Sequence, residues 1–302
     1  MEPDTNPTTF IYVHGAGNKP PVNVLKRAWD EDLFGRNMGA RTRMVYYADL
    51  LHDHPAAIAA DACTATGAVA ALVSDAFADT ALLQDDEAHT AFSQMSPDAQ
   101  SFALSLSVSM ATRAASPVHA APVADPRPAD SATELLPLPS ALRRFLLRQL
   151  LRAFIPDANA YFFTKAKDPI RDRLRTELDA ARGRVVLVSH SLGTVVAYDV
   201  LSEARFAQQE VPLFITVGSP LGYTEIQDLV VHPLQIPAPV GLWMNVADPF
   251  DIVTLDTTLA DDFRTAAKII ADVVVDNPSP NNHAACGYLR TLPVRAAVAA
   301  AE

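Results

Sequence analysis

The chain has 302 residues, is 49% hydrophobic and 20% charged, and carries a formal net charge of -11. That length suits one large α/β domain with an insertion or two small domains, and that apolar content suits a globular core. The negative charge argues against DNA or RNA as a partner and against simple electrostatic docking to anionic lipid. Cys63 and Cys286 lie far apart and form no C-x-x-C pair, so two reduced, buried thiols are expected. The N-terminus is acidic and Pro-rich, and its apolar run Phe10–Val13 is too short for a signal h-region. With no stretch approaching a membrane span, a cytoplasmic protein without a transmembrane segment is expected.

Residues Thr9–Val13 (TFIYV) read as a short buried strand, followed at once by the small-residue turn His14-Gly15-Ala16-Gly17. A helix is expected over 22–34, with Val24, Leu25, Ala28 and Trp29 on one face, and a second strand over Arg43–Ala48. The chain then changes character. Residues 56–83 are Ala-rich with helical spacing, and 96–140 are rich in Ser, Ala, Pro and Thr. That second composition cannot hold regular structure throughout and predicts loop. Residues 140–155 read as an amphipathic helix capped by Ser140, with Leu142, Phe145, Leu146, Leu150 and Phe154 on one stripe.

From 168 onward strands and helices alternate. Helices are expected over 169–181, 192–204 and 284–301, and strands over Arg184–Val188, Leu213–Val217, Leu242–Val246 and Ile269–Val275. Short apolar strands separated by helices predict a mostly parallel, doubly wound sheet of about six strands. From His14 to Ser191 the chain far exceeds the roughly 60 residues that two βαβ units need. The surplus predicts a helical cap or lid over 52–165, inserted in a core formed by 1–51 and 166–302.

The segment RVVLVSHSLGTVVAYDVL carries the strongest chemical signal. A buried strand runs into Ser189-His190-Ser191-Leu192-Gly193, and a helix starts directly after it. A turn that tight lifts the Ser191 hydroxyl above the sheet edge and needs small flanking residues. This resembles the nucleophile elbow of the α/β-hydrolases, lipase- and esterase-like members especially, with Ser189 where the pattern usually has glycine. His14-Gly15-Ala16-Gly17 resembles the segment that gives that family one oxyanion donor. The resemblance therefore implies an oxyanion hole from the amides of Ala16 and Leu192.

The family orders its triad as serine, acid, histidine. His283, in a loop between the last strand and the terminal helix, matches the family's base. His232 reads as a loop histidine, His190 as pointing elsewhere from within the elbow, and His14 as structural. The acid is expected in the turn after Leu242–Val246. Asp251, in a D-x-V pattern, is favoured over Asp248, in the alternative D-P pattern. The turn Gly218-Ser219-Pro220-Leu221 also resembles such esterases, where it shapes the acyl pocket.

The resemblance covers residues 9–50 and 168–290. It implies a carboxylic ester hydrolase acting through an acyl-enzyme on Ser191, with a small-molecule or lipid-like ester as substrate. No cofactor and no metal are expected; His52-x-His54 reads as a surface turn rather than a ligand pair. A thioesterase, amidase or acyltransferase would use the same triad, and a non-catalytic relative would bind a ligand in the same cleft.

Overall fold

A computed structural model describes residues 8–56, 96, 156–251, 253–254, 256–264, 268–277 and 282–302. The expectations for the Ala-rich stretch beyond Ala56, for the Pro-rich stretch apart from Ser96 and for the helix over 140–155 lie outside these residues.

Six strands form one sheet: β1 (Thr9–Val13), β2 (Thr42–Val45), β3 (Val185–His190), β4 (Val211–Val217), β5 (Val240–Ala247) and β6 (Ile270–Val274). Their order is β2-β1-β3-β4-β5-β6 and every pairing is parallel. Every residue of β1 and β3 is buried, as continuous apolar runs require when both faces of a sheet are covered. Alternate residues serve opposite faces. Phe10 and Tyr12 pack with Trp29 and Leu33 of α1 (Val22–Phe34), and with residues of α5 (Ala285–Arg290) and α6 (Leu292–Ala300). Ile11 and Val13 share the other core with α2 (Lys167–Ala180) and α3 (Leu192–Leu201).

The helices follow from their apolar spacing and their ends. On α1, Leu25, Trp29 and Leu33 recur every fourth residue and face the core, whereas Ala28 is exposed. Gly35 stops it at φ 68°, where its N–H returns to Glu31 O at 2.9 Å. The sequence of α2 is highly charged, but Ile170, Leu174 and Leu178 are fully buried on one stripe. Each such side chain contributes roughly 1.5–3 kcal/mol. A short helix, α4 (Thr224–Gln227), follows β4.

Two elements depart from the sequence reading. Strand β2 ends at Val45, because the Tyr47 N–H leaves the ladder for His14 Nε2 at 3.1 Å. The expected terminal helix is two helices broken at Thr291. Pro293 has no N–H for the carbonyl four residues back, and its ring clashes there, so the first helix cannot run through it. Cys286 is disulfide-bonded, which corrects the expectation of two reduced thiols; Cys63, the chain's other cysteine, lies outside the described residues. Disulfides persist mainly in oxidising compartments, so this bond gives no support to the cytoplasmic expectation. Among the described residues no helix is long and apolar enough to cross a membrane.

The sheet order places the site. After β1 the chain crosses to α1 on one face and pairs outward with β2; after β3 it crosses to α3 on the other face and pairs toward β4. The carboxyl ends of β1 and β3 are therefore a topological switch point, where open α/β sheets form a crevice.

Candidate active site

Strand β3 delivers Ser191 to that crevice. Ser191 has φ 53° and ψ −130°, and it is the one positive-φ residue other than glycine among the described residues. Such backbone costs on the order of 1–3 kcal/mol and persists only where its surroundings impose it. Here the Ser191 N–H bonds Val217 O at 3.1 Å and the Thr194 N–H bonds Ser191 O at 2.9 Å. A Cβ on Gly193 would meet the carbonyl oxygens of Val13 and His14, so helix and strand approach too closely for any side chain there. A Cβ on Gly15 would lie 2.6 Å from Ser191 Cβ and 2.8 Å from His190 Nδ1. Ser189 is buried and donates its hydroxyl to Ile215 O at 3.1 Å, so a serine fits where a glycine is usual.

The loop after β1 is held by side chains. The Tyr47 N–H can only donate, so His14 Nε2 accepts it, and Nδ1 carries the proton that goes to Gly15 O at 2.8 Å. Burial, then the charge of Lys19, pushes the His14 pKa down to about 3, in keeping with this neutral tautomer. The peptide is planar and trans, so an occupied Gly15 carbonyl turns the Ala16 N–H the opposite way. The next peptide is clamped from both ends: Lys19 Nζ bonds Ala16 O and Gly17 O, and the Gly17 N–H bonds Asp157 Oδ2 at 2.6 Å. Burial lowers the Lys19 pKa to about 8 against the opposing pull of Asp157. The backbone N–H groups of Ala16 and Leu192 have no hydrogen-bond partner among the described residues, which leaves two donors beside the elbow.

His283 Nε2 lies 2.9 Å from Ser191 Oγ, and His283 Nδ1 lies 2.9 Å from Asp251 Oδ2. The carboxylate accepts from Nδ1–H, so Nε2 presents its lone pair to the hydroxyl. Asp251 also accepts from Tyr288 OH at 2.7 Å and, through Oδ1, from the Val253 N–H at 2.9 Å. Asp248 is buried but bonds elsewhere. Its carboxylate accepts from the N–H groups of Phe250 (2.7 Å) and Asn277 (2.8 Å) and from Asn282 Nδ2 (3.0 Å). Burial raises its pKa, and these three bonds oppose the rise. The structure thus brings Ser191, His283 and Asp251 together, and it makes Asp248 an anchor of the loop that carries His283.

Several residues have roles the sequence did not assign. Tyr288 OH accepts the Asp248 N–H at 3.0 Å while donating to Asp251, so one hydroxyl links the two carboxyl segments. His190 does not point away from the site: its ring is buried and its Nε2 lies 2.8 Å from His283 O. Gly218, at φ 58°, lies against the Asp251–His283 pair; a Cβ there would lie 3.1 Å from Asp251 Oδ2 and 3.2 Å from His283 Nδ1. His232 is exposed. His52 lies 3.5 Å from Asp157 Oδ1, and the carbonyl of His54 accepts from Asn18 at 2.8 Å. Asp256, Asp261 and Asp262 gather their carboxyl oxygens within 4.8 Å of one another, but Asp256 is used in capping the Thr258 N–H.

Compared with known proteins, the chain matches no family model and no curated protein.

Proposed function

We propose that this chain is a serine hydrolase of the α/β-hydrolase type that cleaves carboxylic ester bonds. The observation that carries the reading is the continuous relay from Ser191 Oγ to His283 Nε2 and from His283 Nδ1 to Asp251 Oδ2, both links at 2.9 Å. It is supported by the strained elbow and by the two N–H groups beside it that have no partner among the described residues.

In this reading Ser191 Oγ forms a bond to the ester carbonyl carbon while His283 Nε2 takes the hydroxyl proton. The carbonyl oxygen becomes an anion and meets the N–H groups of Ala16 and Leu192. One such donor contributes roughly 3–4 kcal/mol to the barrier reduction. Asp251 keeps the imidazole in the correct tautomer and stabilises its cation. His283 then gives the proton to the departing alcohol as the carbon–oxygen bond breaks. Water, deprotonated by His283, attacks the acyl-enzyme; the bond from carbon to Ser191 Oγ breaks, Oγ takes the proton back from His283, and the acid leaves.

The test is hydrolysis of p-nitrophenyl butyrate by the full chain. Wild type is expected to turn over and Ser191→Ala to lose about 10⁶-fold in kcat. A Ser191→Ala variant as fast as wild type would overturn the proposal.

A further inference from the structure

We infer that His190, the residue immediately before the nucleophile, is a positioning residue for the base, its Nε2–H holding the backbone carbonyl of His283. The inference rests on the serine-hydrolase reading and adds to it a residue outside the triad.

A carbonyl oxygen only accepts, so the 2.8 Å contact between His190 Nε2 and His283 O puts the proton on Nε2. The two rings lie face-tilted at 4.7 Å between centroids and 37° between planes. A second imidazolium at that range would oppose the cation that His283 becomes during the reaction. His190 therefore has to serve as a neutral donor, and its burial keeps it neutral.

The loop around His283 shows why the bond matters. Three successive carbonyls are held by side-chain donors, and only that of Ala284 is also used by the helix that follows, through the N–H groups of Gly287 and Tyr288. Asn277 Nδ2 holds Asn282 O at 2.8 Å and Ala284 O at 3.1 Å, and His190 holds His283 O at 2.8 Å. Asn277 belongs to the base's side of the cleft, where its own N–H is bound to Asp248. Of the three bonds, the one to His283 comes from β3, the strand that ends at the elbow. The nucleophile's side and the base's side are thus joined at two adjacent points: the reacting pair Ser191–His283, and the backbone tie one residue earlier. The tie sets the height of the imidazole over the hydroxyl before substrate arrives. A displacement near 1 Å in such a pair costs on the order of 100-fold in rate. A histidine that merely satisfied a buried polar group would affect stability and leave the Ser–His geometry alone.

The test uses the full chain with p-nitrophenyl butyrate, Ser191→Ala as control, and His190→Phe and His190→Gln as variants. Phe fills the site without a donor, and Gln carries an N–H near the Nε2 position. His190→Phe is expected to lose about 100-fold in kcat with little change in KM, and His190→Gln to recover most of it. A folded His190→Phe with wild-type kcat, or a His190→Gln as slow as the Phe variant, overturns the inference. Should the Phe variant fail to fold, nitrogen–proton correlation spectra of wild type decide instead. They are expected to show His190 as the Nε2–H tautomer with a slowly exchanging proton, and the Nδ1–H tautomer overturns the inference. If wild type has no esterase activity beyond the Ser191→Ala control, the hydrolase reading fails separately, and the spectra still report whether the tie exists.

Discussion

Replacing Asp251 by Asn keeps the shape of the side chain and removes one acceptor. Asp251 Oδ2 receives His283 Nδ1–H and Tyr288 O–H, and Oδ1 receives the Val253 N–H. An amide cannot satisfy all three. If its NH₂ faces Val253, two donors meet at a buried site, at a cost of about 1–3 kcal/mol. If it faces His283, the imidazole must turn to the Nε2–H tautomer, which cannot take the Ser191 proton. In both orientations the carboxylate charge that stabilises the imidazolium is gone. The expected loss in kcat is about 10⁴-fold, or about 5 kcal/mol of barrier. Asp248→Asn provides the contrast. Its three donors are Phe250, Asn277 and Asn282, none of them His283. Its cost is expected in stability, about 1–3 kcal/mol, with kcat per folded molecule within about tenfold of wild type. Both variants are assayed by p-nitrophenyl butyrate hydrolysis, normalised to the folded fraction from circular dichroism. An Asp251→Asn enzyme within tenfold of wild type, or an Asp248→Asn enzyme slower than Asp251→Asn, would refute this reasoning.

Gly193→Ala places a methyl against the carbonyl oxygens of Val13 and His14, backbone atoms that cannot rotate away. It is expected to cost up to about 3 kcal/mol, read as a lowered urea midpoint; a wild-type midpoint would contradict the close approach. His14 titrates at about 3 in the folded chain against 6.5 ordinarily. The unfolded chain therefore binds a proton through that window and the folded chain does not. Stability is expected to fall as pH drops from 6.5 toward 3, by about 5 kcal/mol for this group. His14→Gln is expected to flatten that dependence by one proton in urea titrations across the window. Lys19 titrates at about 8 when folded against 10.5 ordinarily. Here the unfolded chain holds the extra proton between those values, so stability is expected to rise with pH across them by roughly 3 kcal/mol. Lys19→Met is expected to abolish the rise, and an unchanged rise would show that another group causes it.

The sheet was legible because β1, β3 and β4 are apolar runs buried on both faces, a pattern that needs no partner to be recognised. The elbow was legible because its strand, small residues and helix are contiguous. Where the reading failed, the cause lies far along the chain. The end of β2 depends on a bond from Tyr47 to His14. The preference for Asp251 over Asp248 rests on the short D-x-V pattern alone, and it is Asp251 that the structure sets against His283 Nδ1. The direction of His190 has no local signal, because its partner, His283 O, lies 93 residues later in a loop without regular structure. Tyr288 and Asp157 likewise act through contacts that no local motif encodes. The break at Thr291 is the exception, since Pro293 marks it within the sequence itself.

The most direct measurement is covalent capture of Ser191. The full chain is treated with a fluorophosphonate probe, and the adduct is mapped by peptide mass spectrometry. One phosphonyl group on Ser191, absent from Ser191→Ala, is the predicted result. A wild-type chain that takes up no probe, or takes it up at another residue, would contradict the reading of this cleft as a serine hydrolase site.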